Sequence, residues 1–149
     1  MVEALPWAST VVVVPSPHQV ATLPSDLHVM DTVAVRGGAV IVVGYQVSSA
    51  SADLTARQAY IARYDGALSA PLVGGTGWIQ AAGAAGLDAW AVRARLKPER
   101  EGSTYELLTS TDGGATWTSG GAIPTTSLTA VAVEGGGCGW AIGAGALLR

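Results

Sequence analysis

The residues of this chain best placed to do chemistry stand in one short stretch, Ser110-Thr-Asp-Gly-Gly-Ala-Thr-Trp. A carboxylate flanked by two hydroxyls and an indole could be read as a catalytic acid or base at Asp112. The spacing points to turn chemistry instead. Asp112 can fold its carboxylate onto backbone N–H groups two residues on, in an Asx-turn, and Ser110 can bond across the same turn. Gly113 and Gly114 supply the positive φ that a tight strand reversal requires. Thr116 and Trp117 then open the next strand, since β-branched and aromatic residues suit a pleated surface. The Trp117 ring is large enough to bury against a neighbouring sheet. Each fixed position, Ser110, Asp112, Gly114, Thr116 and Trp117, thus has a structural task.

Other reactive residues are sparse. Cys138 is the single cysteine, so no internal disulfide forms and no zinc-type spacing exists. It is expected to be a small packed residue just before a strand rather than a nucleophile. His18 and His28 flank proline-rich connections with no ligand partner at metal spacing, and read as surface histidines. No metal or cofactor is expected. No Gly-rich phosphate loop opens a helix, and no Gly-x-Ser-x-Gly elbow is present.

The elements that position these residues follow from composition. The 149 residues are 49% hydrophobic and 13% charged, with twenty glycines. Such a chain is too apolar for disorder and too rich in glycine for helices, and it is long enough to bury a core. Its net charge of −3 and lack of a basic cluster give no case for nucleic acid. The apolar runs Val11–Val14 and Val40–Val43 are strand-sized, so no membrane span is expected. The N-terminus lacks the basic start and apolar core of a secretion signal.

Three segments share one layout of strand, Gly-containing turn and second strand. They are Asp31-Thr-Val-Ala-Val-Arg-Gly-Gly with Val40–Gly44, Gln80-Ala-Ala-Gly-Ala-Ala-Gly with Trp90–Arg93, and Thr129-Ala-Val-Ala-Val-Glu-Gly-Gly with Trp140–Gly143. Asp31, Gln80 and Thr129 recur every 49 residues. A period near 50 with short strands predicts an all-β chain, a β-propeller segment of about three four-stranded antiparallel blades. Residues 1–27 are an N-terminal strand, at Ser9–Val14, and a connection. Blade 1 covers 28–73, blade 2 covers 77–124, and 126–149 are an incomplete third blade. Asp65 and Gly66 fall where Asp112 and Gly113 stand, with Arg63 in place of Ser110. Leu147-Leu-Arg149 aligns with Leu107-Leu-Thr109. The chain is therefore expected to be part of a larger propeller, or an open array completed by self-association that covers its free sheet edge.

In such a meander the 110–117 turn lies at the same end as the turn between the first two strands. The long loops, Gln46–Arg57 and Ala94–Thr104, lie at the opposite end. Arg95, Lys97, Glu99, Arg100 and Glu101 make the second loop the densest run of charge, and loops on a rigid scaffold are where binding concentrates. The bland alternative is a solvated hairpin tip. Trp90 and Trp140 hold matching positions, which argues for packing between blades. Trp78 and Tyr45 depart from the repeat and are candidates for exposure.

Ser110, Asp112, Gly114, Thr116 and Trp117 fit the Asp-box, or bacterial neuraminidase repeat, and with the repeat the chain resembles Asp-box β-propellers over most of its length. Gly139-Trp-Ala-Ile-Gly-Ala-Gly-Ala-Leu-Leu148 looks like the signature of photosystem II assembly and stability factor type propellers, which are non-catalytic binding scaffolds. That resemblance implies a scaffold binding a protein or carbohydrate ligand through the long-loop face, in an extracytoplasmic parent protein. The box looks equally like that of sialidases and xyloglucan-degrading glucanases, which implies as the alternative a glycoside hydrolase fragment whose catalytic residues lie largely elsewhere. Sialidases use an arginine triad, a Tyr/Glu pair and an Arg-Ile-Pro motif. Here Arg-Ile-Pro is absent, and Tyr45, Tyr60, Tyr64 and Tyr105 have no assignable glutamate partner. Glucanases need two carboxylates across a cleft, for which Asp26, Asp31, Asp53 and Asp88 near strand ends are the candidates.

Overall fold

The computed structural model describes residues 19–47, 54–97, 102–144 and 146–149. The strand expected at 9–14 therefore lies outside the described residues. Those described form antiparallel β-structure with a single 3-10 turn at Leu54–Ala56. The first sheet joins β1 (Leu27–Ala34), β2 (Val40–Val47) and β3 (Arg57–Tyr64). The second joins β4 (Trp78–Ala85), β5 (Asp88–Leu96), β6 (Ser103–Ser110) and β7 (Thr118–Ile123). The third joins β8 (Ala130–Gly135), β9 (Cys138–Gly143) and β10 (Ala146–Leu148). Strand order follows chain order in every sheet, so each is a simple meander with turns at alternate ends.

Several expected details shift. The first sheet has no regular fourth strand. Its outer edge is met only by isolated bridges from Leu68, Val73 and Thr76 to β3. Pro71 lacks a donor and Gly75 and Gly77 take φ of 91° and 109°, so the segment cannot hold a ladder. The loops also contract. Val47 pairs with Arg57, and Arg95 and Leu96 pair with Thr104 and Ser103, so both ends of each loop belong to strands. β7 begins at Thr118, so Thr116 and Trp117 stay in the turn.

The repeat register differs by one residue from the sequence alignment. The pairing of β1 with β2 skips Met30, and that of β4 with β5 skips Gln80. Met30, not Asp31, is thus the counterpart of Gln80. In the third sheet the irregularity moves to Glu134. The matched strands 31–36 and 129–134 therefore show opposite faces. Val33 packs into the core between the first and second sheets, while Val131 packs into the core between the second and third.

The middle sheet is consequently sealed on both sides by its neighbours. Ala89, Ala91, Val92 and Ala94 along β5 are all 0% exposed. Ala89 and Ala91 meet Ile41, Val43 and Ile61 of the first sheet. Val92 and Ala94 face Leu128, Val131 and Ala141 on the other side. Small residues let the sheets approach, and larger ones from the flanking sheets fill the space at interior density. Each buried Ile or Val contributes about 1.5–3 kcal/mol.

Polar contacts repeat across the two sheet interfaces. Asp31 Oδ2 accepts from Ala82 N–H at 3.3 Å, and Gln80 Nε2 donates to the Leu128 carbonyl. At the hairpin end, Arg36 N–H donates to the Gly86 carbonyl at 2.9 Å, and Gly136 N–H donates to Asp88 Oδ2 at 2.6 Å. Both faces of the middle sheet are thereby registered at two heights.

Candidate functional site

The 110–117 turn closes on itself. Ser110 Oγ donates to Asp112 Oδ1 at 2.8 Å and accepts from Gly114 N–H at 2.9 Å. Asp112 accepts from Thr116 N–H at 2.9 Å and from Thr116 Oγ1 at 2.6 Å, four residues on rather than two. Trp117 Nε1 donates to the Gly114 carbonyl at 3.0 Å while its ring packs against the first core cluster. Gly114 has φ 83°, and a Cβ there would stand 2.6 Å from Ile41 Cδ1. The turn is also tied outward: Gly113 N–H donates to the Leu87 carbonyl at 2.8 Å, and Arg63 Nε donates to the Gly113 carbonyl at 3.1 Å.

These bonds set the electrostatics of Asp112. The Thr116 hydroxyl and N–H, with lesser help from Ser110 and the Ala115 N–H, hold its carboxyl down at about 2 against the opposing effect of burial. A group so stabilised as the anion is a poor proton acceptor near neutrality. At the degenerate copy, Gly66 keeps a φ of 77°, but Asp65 pairs with Arg63 at 2.8 Å instead of bracing the turn.

The other carboxylates are engaged as well. Asp26 Oδ1 accepts from Gln46 Nε2 at 3.1 Å. Asp31 Oδ1 takes the Thr32 N–H at 2.8 Å, and its second oxygen bridges to Ala82. Asp88 caps the turn between β8 and β9, and Asp53 lies outside the described residues. Burial pushes Glu106 up, but hydrogen bonds from Arg93 and Ser119 and the charges of Arg93 and Arg95 hold it below its ordinary value. Tyr60 is fully buried, and burial together with the Asp26 charge pushes its phenol up, the wrong direction for a nucleophile.

At the opposite end the expected charge cluster is only partly described. Arg95 sits within β5, not in a loop, with Nε donating to the Thr76 carbonyl at 3.3 Å and Nη2 3.5 Å from Glu106. Arg93 joins it, 2.6 Å from Glu106 and 3.0 Å from the Gly74 carbonyl. These arginines clamp the connection into β4. Lys97 closes the hairpin through its N–H to the Gly102 carbonyl at 3.2 Å. Glu99, Arg100 and Glu101 lie outside the described residues.

The same end carries a cluster that the sequence did not join. His28 and Tyr45 stack with centroids 4.7 Å apart and planes 8° from parallel. The Arg57 guanidinium lies 4.1 Å from the Tyr45 centroid and 5.3 Å from that of Trp78. Cross-strand register explains the gathering. His28 stands opposite Tyr45, and Arg57 lies two residues before the Ala59 that pairs with it. Trp78 opens β4 beside them, half-buried like Tyr45 rather than fully exposed. His28 stands in β1, not on a connection. The signal in the sequence was the alternation of Arg57, Ala59 and Ile61 on the face that Tyr45 shares.

Cys138 corrects an expectation. It is exposed, because it begins β9 at a hairpin tip and its side chain clears the sheet. Trp90 packs between sheets, its ring close to the Gly139 backbone, and Trp140 donates to Glu134 and lies 5.1 Å beneath Arg149. His18 lies outside the described residues. Among the described residues no three His, Cys, Asp or Glu side chains gather as a metal site, and no helix is long and apolar enough to cross a membrane. No family model matches the chain, and no curated protein matches it.

Proposed function

We propose that the chain is part of an Asp-box β-propeller, a non-catalytic scaffold whose three sheets are successive blades and whose ligand binds at the long-loop end. The carrying observation is the contrast between the two ends. At the hairpin end, Ser110, Asp112 and Thr116 spend their polar groups on one another and on the backbone. At the long-loop end, Arg57, Tyr45, His28 and Trp78 gather half-exposed rings and a cation in one place. The stacking of β4 on the first sheet and β8 on the second supports the blade reading. So does the outward face of the third sheet. Ile142 and Leu147 are 49% and 61% exposed there, opposite one another as Val92 and Leu107 are in the covered middle sheet. A further blade fits that face.

The rival is a piece of a sialidase-like or xyloglucanase-like hydrolase. A xyloglucanase-like enzyme needs a carboxylate pair across a cleft, one of them kept protonated by its surroundings, and a sialidase-like one needs a tyrosine activated by a glutamate beside an arginine triad. Among the described residues, Asp26, Asp31 and Asp88 are each bonded to a separate donor. Incubation with aryl glycosides, aryl sialosides and xyloglucan oligosaccharides is expected to release no sugar. Turnover that vanishes on changing Asp26→Asn or Asp31→Asn would establish the hydrolase instead.

A further inference from the structure

The Arg57 cluster has a geometry that selects its ligand. Two groups lie within stacking distance of the Tyr45 ring, the His28 imidazole at 4.7 Å and the Arg57 guanidinium at 4.1 Å. A ring has two faces, so both faces of Tyr45 are taken. Trp78 lends a face to Arg57 at 5.3 Å and packs against the core cluster of Ala94 and Tyr105. The Tyr45 ring, the centre of the cluster, therefore offers no open platform on which a sugar stacks. What remains available is the polar rim of the cluster, above all the N–H edge of Arg57.

Among the described residues that edge is unspent. Among the described residues Arg63, Arg93 and Arg95 each donate to a carbonyl and lie within 4 Å of a carboxylate. The Arg57 guanidinium, among the described residues, meets only the Tyr45 and Trp78 rings, while its backbone carbonyl accepts from Gly77 N–H at 2.9 Å. Stacking fixes the guanidinium plane and removes side-chain freedom before any ligand arrives, leaving the forked donors for an oxyanion. Surrounding charge sets the kind of anion. Asp26, just before β1, holds its carboxylate against Gln46 of β2, next in the chain to Tyr45, and the chain carries net charge −3. One cation in that setting suits a monoanion better than a phosphate dianion.

We infer that Arg57, fixed against Tyr45 and Trp78, is a docking point for a carboxylate presented by a peptide, a glutamate or aspartate side chain or a C-terminus. This rests on the reading of the long-loop end as the binding end.

The test is titration of the protein, followed by 1H–15N NMR, with an end-blocked peptide carrying two glutamates. Its glutamine counterpart, glucuronate and inorganic phosphate are run in parallel. The glutamate peptide is expected to shift the Arg57 Nε–H signal and the amides of Tyr45 and Trp78 in a saturable way, and the glutamine peptide not to. Arg57→Gln is expected to weaken binding at least about tenfold. Arg57→Lys, which keeps the charge and loses the fork, is expected to fall between. Both variants must keep the dispersed spectrum of the parent, and Arg36→Gln at the other end is expected to bind unchanged. Equal binding of the glutamine peptide, preference for glucuronate or phosphate, or no binding at all overturns the inference. Shifts confined to Lys97 and Gly102 would overturn Arg57 but keep the long-loop end. Shifts confined to residues 110–117 would overturn both.

Discussion

Asp112 shows how one carboxylate can be structural while looking reactive. Its four anionic contacts lie within the turn, and they depress its pKa to about 2. An unfolded aspartate titrates near ~3.9, so the stabilisation is complete above that pH and drains as pH falls toward about 2. Asp112→Asn keeps one acceptor oxygen and loses the charge. It is expected to lower stability at pH 7 by about 1 kcal/mol, a modest figure because the side chain is exposed to screening water. The same variant is expected to flatten the pH dependence of thermal unfolding between about pH 4 and 2. An unchanged slope would show that Thr116 and Ser110 do not favour the anion. The turn was legible in the sequence because its partners lie within eight residues. Arg57 was not, because its partners Tyr45 and Trp78 come from two other strands and only register brings them together.

Close approach between strands depends on positions where no side chain fits. A Cβ at Gly139 would stand 2.6 Å from both the Ala132 carbonyl and Trp90 Cζ3. Gly139→Ala must push the Trp90 ring and open the seam between the second and third sheets. It is expected to cost about 2 kcal/mol, a fall of several degrees in Tm by calorimetry. Gly74→Ala, with open space around it, is expected to leave Tm unchanged or slightly raised. Strand identities were readable from alternation and glycine turns, since these are local. The facing of each strand was not. The strands at 31–36 and 129–134 match in their valines, yet bulges at Met30 and Glu134 turn them opposite ways. A bulge is one extra residue in a ladder, and nothing in the local sequence marks it. The missing fourth strand of the first sheet was signalled by Pro71 and the glycines at 74, 75 and 77, and the repeat pattern concealed it.

At the scale of the whole molecule, the described residues stack as three meanders in chain order, and that order gives the stack two unlike ends. One end is braced by the 110–117 turn and the hairpin contacts from Arg36 to Gly86 and from Gly136 to Asp88. The other carries the Arg57 cluster, and our proposal assigns binding there. The all-β class followed from composition and periodicity alone. The order of the sheets depends on contacts between residues about 50 apart, such as Arg63 with Gly113. The most direct test is a disulfide between sheets. A Cβ at Gly135 would lie 3.8 Å from Ala85 Cβ, the separation that a disulfide spans. Gly135 takes a φ of 95°, so a side chain there is strained. In a Cys138→Ser background, Ala85→Cys with Gly135→Cys is expected to lower Tm when reduced, to cross-link within one chain on mild oxidation, and to regain Tm relative to the reduced form. Two thiols that stay free in the folded protein, or that join only between chains, would contradict the stack and with it the assignment of the two ends.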